Sequence, residues 1–236
     1  PDGGPGEAHF MIHPAYDTRD LQEDMLAVVE DKLVATNKAG RRELVVWAME
    51  DDERRTEVLA DHGYTCKGWV ETQHRRDLSL PIPEVAPPVG YTLRALGDGL
   101  ELLERCYASG LGFHKGDIKI AVENRDDPTW YRNIQTAPLY RRDLDLVAIA
   151  PDGSIASFCT IWFDDVTRSA YFEPVATVPA HQRRGVSRAL LTEGLHRLQR
   201  MGCRWAFVAG FEHGPNRLYE TTVGPEYGHY RAWEKT

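Results

Sequence analysis

Cysteine is scarce, four in 236 residues, and Cys66, Cys106, Cys159 and Cys203 lie far apart. No pair has the spacing of a metal knuckle or a redox motif, so neither a metal site nor a disulfide framework is expected. Reduced thiols in an intracellular, cytoplasmic protein are the expectation. Long apolar runs are missing too. No stretch reaches the ~18 residues of a membrane-spanning helix, and no signal-peptide pattern is present, so no membrane role follows. Positive charge is in deficit: 28 Lys and Arg against 36 Asp and Glu give a net charge of -8. That argues against a general nucleic-acid binder, whose affinity rests on phosphate neutralisation, and fits a cationic or amine-bearing partner. The nucleotide P-loop G-x-x-x-x-G-K-[ST] is absent, and no G-x-G-x-x-G follows a strand, which weighs against a dinucleotide site. The opening "PDGGPGE" has no methionine, as expected of a processed chain or one missing its true start.

What is present is a soluble composition with a core, 42% hydrophobic and 27% charged, enough for one large domain or two small ones. "LDLVAIA" (144–150), "SIASFCTIWFDD" and "SAYFEPVATV" read as strands joined by short turns, hence antiparallel. After Pro179 the period changes: Leu191, Leu195 and Leu198 recur at helical spacing, ending at "MGC" (201–203). "RWAFVAGF" reads as a strand, "GPNRLYETTV" as a helix and "GHYRAWEK" as a last strand. The class is α/β (α+β), a mixed, mostly antiparallel twisted sheet with flanking helices.

In "VPAHQRRGVSRALL" (178–191) a strand meets a helix through a glycine turn. The free amides of the helix start form an anion site, and Arg183 and Arg184 add to its field and suit phosphate. Ser187 is small enough to let a phosphate approach. Other Arg-Arg pairs, at 41–42, 54–55, 75–76 and 141–142, sit in no glycine turn and read as solvated faces.

Gln182-Arg183-Arg184-Gly185-Val186-Ser187 resembles the Q/R-x-x-G-x-G/A signature of the GNAT superfamily of N-acetyltransferases. Ser187 departs from the usual Gly or Ala. "NRLYE" (216–220) resembles that family's N…LYE segment, although "VGPEYG" replaces the usual "GF" after it. The resemblance spans roughly 90–236. It implies acetyl-CoA as co-substrate, direct acetyl transfer to an amine in a ternary complex, and a pyrophosphate held at Gln182, Arg183, Arg184, Gly185, Val186, Ser187 and Arg188, with Asn216 also against the cofactor. By register with the family pattern, the amides of Ala176 and Val178 polarise the acetyl carbonyl, and Tyr219 protonates the departing thiolate. Glu173, a charge in an otherwise apolar strand, is the candidate base. Tyr219 also reads as a core aromatic, and Glu173 as a residue pointing to solvent.

The N-terminal third holds a repeat. Residues 9–33 lie over 174–198 at a spacing of 165: Pro14 falls on Pro179, Ala15 on Ala180, and Met25-Leu26 on Leu190-Leu191. Then 44–50 falls on 205–211 and Gly63 on Gly224, at a spacing of 161. This reads as the C-terminal half of a second GNAT-like unit (1–84) in tandem with a complete one (85–236), with "DLSLPIPEVAPPVG" (77–90) as linker. Its chemistry is lost: Asp17 stands for Gln182, Asp20 for Gly185, and Val58 falls near the place of Tyr219. Residues 108–140, with Phe113, His114, Asp117, Trp130, Tyr131 and Tyr140, then Trp162, Phe163, Asp164 and Asp165, form the expected wall for a small-molecule amine. A homodimer is compatible with this reading. A silent acyl-CoA sensor and a transferase of longer acyl chains are the alternatives.

Overall fold

The computed structural model describes residues 5–36 and 39–235. Residues 1–4, on which the expectation about the start of the chain bears, lie outside them. In chain order the elements are β1 (Glu7–His9), α1 (Arg19–Lys32), β2 (Ala35–Thr36), β3 (Arg42–Met49), α2 (Glu53–Asp61), β4 (Thr65–Asp77), β5 (Thr92–Ala95), α3 (Leu100–Phe113), α4 (Ile118–Asp126), α5 (Thr129–Gln135), β6 (Asp145–Ile149), β7 (Ile155–Asp164), β8 (Ser169–Thr177), α6 (Val186–Arg200), β9 (Trp205–Gly210), α7 (His213–Thr222) and β10 (Glu226–Lys235). Single 3-10 turns at Pro14–Tyr16 and Pro179–His181 precede α1 and α6.

The chain forms two compact units. The first comprises Pro1–Gln73, Gly210–His213 and Glu226–Thr236, the second His74–Ala209 and Gly214–Pro225. In the first, β3 is central. It pairs parallel with β1 (Ala8↔Val46) and antiparallel with β10 (Ala232↔Trp47) and β2. Leu26 of α1 and Val58 and Leu59 of α2 bury against Leu44 and Val46 of β3. Each such side chain contributes about 1.5–3 kcal/mol when fully buried. Thr18 caps α1 by accepting from Leu21 N at 3.2 Å.

In the second unit the strands run β9-β8-β7-β6-β5, with the end of β4 beside β9. Pairs β5·β6, β6·β7 and β7·β8 are antiparallel and β8·β9 is parallel, so the sheet is mixed. On one face lies α6, whose Val186, Leu190, Leu191, Leu195 and Leu198 keep helical spacing and are buried with Ile161, Phe172 and Val208. Gly194 permits the close approach: a Cβ there would stand 2.7 Å from Ile161 and 2.9 Å from Phe172. The other face carries α3, with Cys106 and Ala108 packed on Val147 and Phe158. Arg105 is fully buried there, its guanidinium 3.5 Å from the Phe158 ring centroid and 4.5 Å from that of Tyr131.

Residues 77–90 contain no helix or strand beyond Asp77, yet they do not begin as a free linker. Leu78 is buried in the core, its N–H donates to Arg204 O (2.9 Å), and its carbonyl accepts from Gln199 Nε2 (2.9 Å). Residues 108–140 hold the end of α3 followed by α4 and α5, α4 being capped by Asp117, which accepts from Lys119 N and Ile120 N.

Candidate functional site

Every candidate residue lies within the second unit. Two strands frame the site. β8 pairs with β9 only from Ser169↔Trp205 to Tyr171↔Phe207, although β8 continues to Thr177 and β9 to Gly210. Beyond Tyr171 the register of β8 against β7 shifts by one residue, from Ile161↔Phe172 to Cys159↔Val175, which places a bulge at Glu173–Pro174.

That bulge sets which amides face which way. Val178 N–H donates to Ala156 O at 2.9 Å, so it is already used within the sheet. Antiparallel pairing alternates with period two, so Ala176, opposite Phe158, points its N–H the same way. The amides of Ala176 and Val178, expected to polarise a carbonyl, thus face β7. Val175 and Thr177 direct their backbone to the opposite edge, the side where β9 has separated. Thr177 O accepts from Gln182 Nε2 (3.1 Å) on that side.

From Pro179 the chain makes its 3-10 turn, then enters α6 through two left-handed residues, Arg183 (φ 61) and Gly185 (φ 81). Glycine adopts this conformation without strain. A Cβ on Gly185 would meet nothing within 4 Å, so the space before the helix start is open. No side chain caps α6, and its first amides remain donors. Arg183, Arg184 and Arg188 are exposed and have no ion-pair partner among the described residues. Ser187 Oγ hydrogen-bonds Thr177 Oγ1 and lies 3.5 Å from Ser157 Oγ, tying the first turn of α6 to β8 and β7. Val186 is buried and anchors that turn.

On α7, Tyr219 is buried, and no hydrogen bond holds its hydroxyl among the described residues. Burial, and then the neighbouring Cys159 and Glu173, push its pKa well above the usual phenol value, because each disfavours the phenolate. It therefore stays protonated at neutral pH. The Oδ1 of Asn216, one turn earlier, is buried without a partner; a buried acceptor of this kind is normally satisfied. Glu173 is exposed. Its carbonyl accepts from Trp162 Nε1 at 2.7 Å.

One neighbour of Tyr219 was not read from sequence. His74 is buried, its ring edge-on to Tyr219 with centroids 5.9 Å apart. Its Nδ1 donates to Gly224 O (3.2 Å), and Nε2 is left buried without a partner. It stands outside any motif, and its arrival beside α7 depends on long-range strand placement.

Much of the expected acceptor wall is structural. The Tyr131 and Tyr140 hydroxyls both donate to the buried Asp145 (2.8 Å each), which also accepts from Thr160 Oγ1 (3.2 Å). Phe163 belongs to the core, and Asp164 closes the turn to Val166 and Thr167. Phe113, His114 and Asp165 are exposed.

A model of the acetyltransferase (GNAT) family matches residues 105–224, just over half of the chain. The chain belongs to the GNAT acetyltransferase family. GNAT enzymes are acyltransferases whose co-substrate is acetyl-CoA. Among solved structures, a GCN5-related N-acetyltransferase from Sphaerobacter thermophilus aligns with a TM-score of 0.72 at 18% identity, covering 97% of this chain and 72% of that one. A tandem GNAT protein from the clavulanic acid biosynthesis pathway gives 0.72 at 17%, covering 100% and 76%. A GCN5-related N-acetyltransferase from Kribbella flavida gives 0.57 at 14%, covering 98% and 78%. At these identities the likeness is one of fold. No curated protein matches by sequence. Among the described residues, no helix of this GNAT chain is long and apolar enough to cross a membrane.

Proposed function

We propose that this chain transfers the acetyl group of acetyl-CoA directly to the amine of a small molecule in a ternary complex. The observation that carries the reading is the open start of α6: an uncapped helix N-terminus behind a left-handed glycine, flanked by three unpaired arginines and aligned with the place where β8 and β9 part. The residues fit the cofactor. Gln182 to Arg188 present amides and guanidinium groups to a pyrophosphate, the open volume before Gly185 admits it, and the orphaned Asn216 Oδ1 has a buried acceptor to offer.

The division of labour follows. The thioester supplies the acyl group. Val175 and Thr177, facing the parted edge of β8, are the amides suited to polarise its carbonyl. Glu173, on the bulge, takes the ammonium proton directly or through water, and Tyr219 returns a proton to the thiolate. Release of free CoA from acetyl-CoA in the presence of an amine panel tests the reading. Binding of acetyl-CoA with no amine-dependent thiol release identifies a silent sensor instead, and preference for longer acyl-CoA in competition identifies a different transferase.

We further take residues 1–84 as the degenerate C-terminal half of a GNAT-like unit and 85–236 as the catalytic one. Support comes from element order: strand, 3-10 turn, helix, strand, helix and strand recur, the two-residue β2 being extra in the first copy, with Pro14 and Pro179 each opening a 3-10 turn and with β4 and β10 starting at residues 65 and 226, 161 apart. The equivalent helix start in the first unit is closed. Thr18 caps it, Asp20 lies in its first turn, and Asp17 accepts from Gln22 Nε2 (2.6 Å) and pairs with Arg54 (3.1 Å). A carboxylate ~4 Å from a phosphate costs about 1–4 kcal/mol, against the 0.3–1 kcal/mol typical of a helix dipole. Native mass spectrometry with excess acetyl-CoA is therefore expected to show one specific adduct per chain. Two adducts of similar affinity would refute the degenerate copy.

A further inference from the structure

The face of the β8 sheet opposite α6 has an aromatic floor. Register places Trp162 of β7 beside Tyr171 of β8, and Tyr171 beside Phe207 of β9. Their neighbours Ile161, Phe163, Ala170, Phe172, Ala206 and Val208 are buried on the α6 side. Strand alternation thus puts all three rings on the opposite face, and each is only half-buried. Strands are spaced about 4.8 Å apart, so the row is roughly 10 Å wide. Tyr171↔Phe207 is the last pair before β8 and β9 part, and Glu173 follows two residues on, bonded through its carbonyl to Trp162 Nε1. Trp205, next on β9, marks the border: Arg75 and Arg204 stand over its ring at 4.8 and 5.5 Å.

We infer that this floor seats the body of the acceptor, and that the acceptor is an amine carried on a flat, apolar group: an arylalkylamine. The inference rests on the acetyl-transfer reading of the adjoining site and gives its substrate class. A ring lying on Trp162, Tyr171 and Phe207 brings an amine on a two-carbon arm toward Glu173, where the carboxylate attracts the ammonium and then takes its proton. Offset or edge contacts with three rings reward an aromatic body beyond its buried area. A compact polar amine gains none of this. An aminosugar has no aromatic face to make the offset or edge contacts that ring pairs prefer.

The test compares initial rates with tryptamine and 2-phenylethylamine against propylamine, ethanolamine and glucosamine, at saturating acetyl-CoA. The expected result is a kcat/KM at least 10-fold higher for the two aryl amines. In Phe207→Leu and Trp162→Leu, which keep an apolar side chain, the aryl preference is expected to fall about 10-fold through KM. The KM for acetyl-CoA is followed in parallel as a check of folding. Equal kcat/KM across the panel, or preference for glucosamine, overturns the floor while leaving acetyl transfer intact. If no amine is acetylated, calorimetry with tryptamine decides: absence of binding overturns the inference too. Loss of acetyl-CoA binding itself would instead strike the underlying reading.

Discussion

Gly185→Asp is expected to weaken acetyl-CoA binding by about 10² to 10³-fold. Asp is among the few side chains that tolerate a left-handed backbone, and a Cβ at 185 meets nothing within 4 Å, so the fold should survive. What changes is the charge at the mouth of α6. A carboxylate close to a pyrophosphate at partly screened dielectric costs several kcal/mol, and each 1.4 kcal/mol is tenfold in affinity. The substitution also brings to α6 a carboxylate like the one α1 carries in its first turn, Asp20. Gly185→Asn separates charge from shape, since Asn shares the backbone tolerance and the size of Asp. Calorimetry should place it between wild type and Gly185→Asp. Unchanged affinity in Gly185→Asp would remove the pyrophosphate from this turn.

Tyr219→Phe is expected to lower kcat by roughly 10²-fold or more, with acetyl-CoA affinity close to wild type, as loss of a general acid does. The pH dependence has a definite sign. Burial, Cys159 and Glu173 all hold the phenol protonated, so any alkaline limb of kcat that reports Tyr219 lies above the usual tyrosine value of about 10. A limb at or below that value would assign the step to another group. Glu173→Gln is the companion test: removal of the base should abolish the acid limb of kcat together with most of the rate. An unaltered profile would hand the proton to water alone.

The strands and helices of the second unit are legible because their signals are local. Residues 145–149, 155–164 and 169–177 alternate or run apolar between turns, and the leucines of α6 keep helical spacing. The glycine turn is legible for the same reason. What escapes is geometry set by neighbours. The bulge at Glu173–Pro174 reverses the parity of the amides behind it, so Val178 N–H turns into the sheet, toward Ala156 O. The helices α4 and α5 are too short, nine and seven residues, for periodicity to stand out. Tyr131 looked like a substrate contact until Asp145, fourteen residues on, claimed its hydroxyl. Glu173 reads alike from sequence whether buried or exposed, and His74 reaches Tyr219 across a separation no pattern reports.

The strand 226–235 belongs to the first unit, pairing with 44–49, and this has a consequence for biosynthesis. The ribosome finishes β3 at Met49, long before its partner strand begins at Glu226. Chains grow at about 5–20 residues per second, so the apolar edge of β3 waits on the order of ten seconds or more for its neighbour. The first unit therefore cannot close before residues 226–235 have been made, although β3 is made long before them. A nascent chain stalled before residue 226 should remain protease-sensitive within residues 42–49, and a fragment ending near residue 84 should aggregate rather than fold.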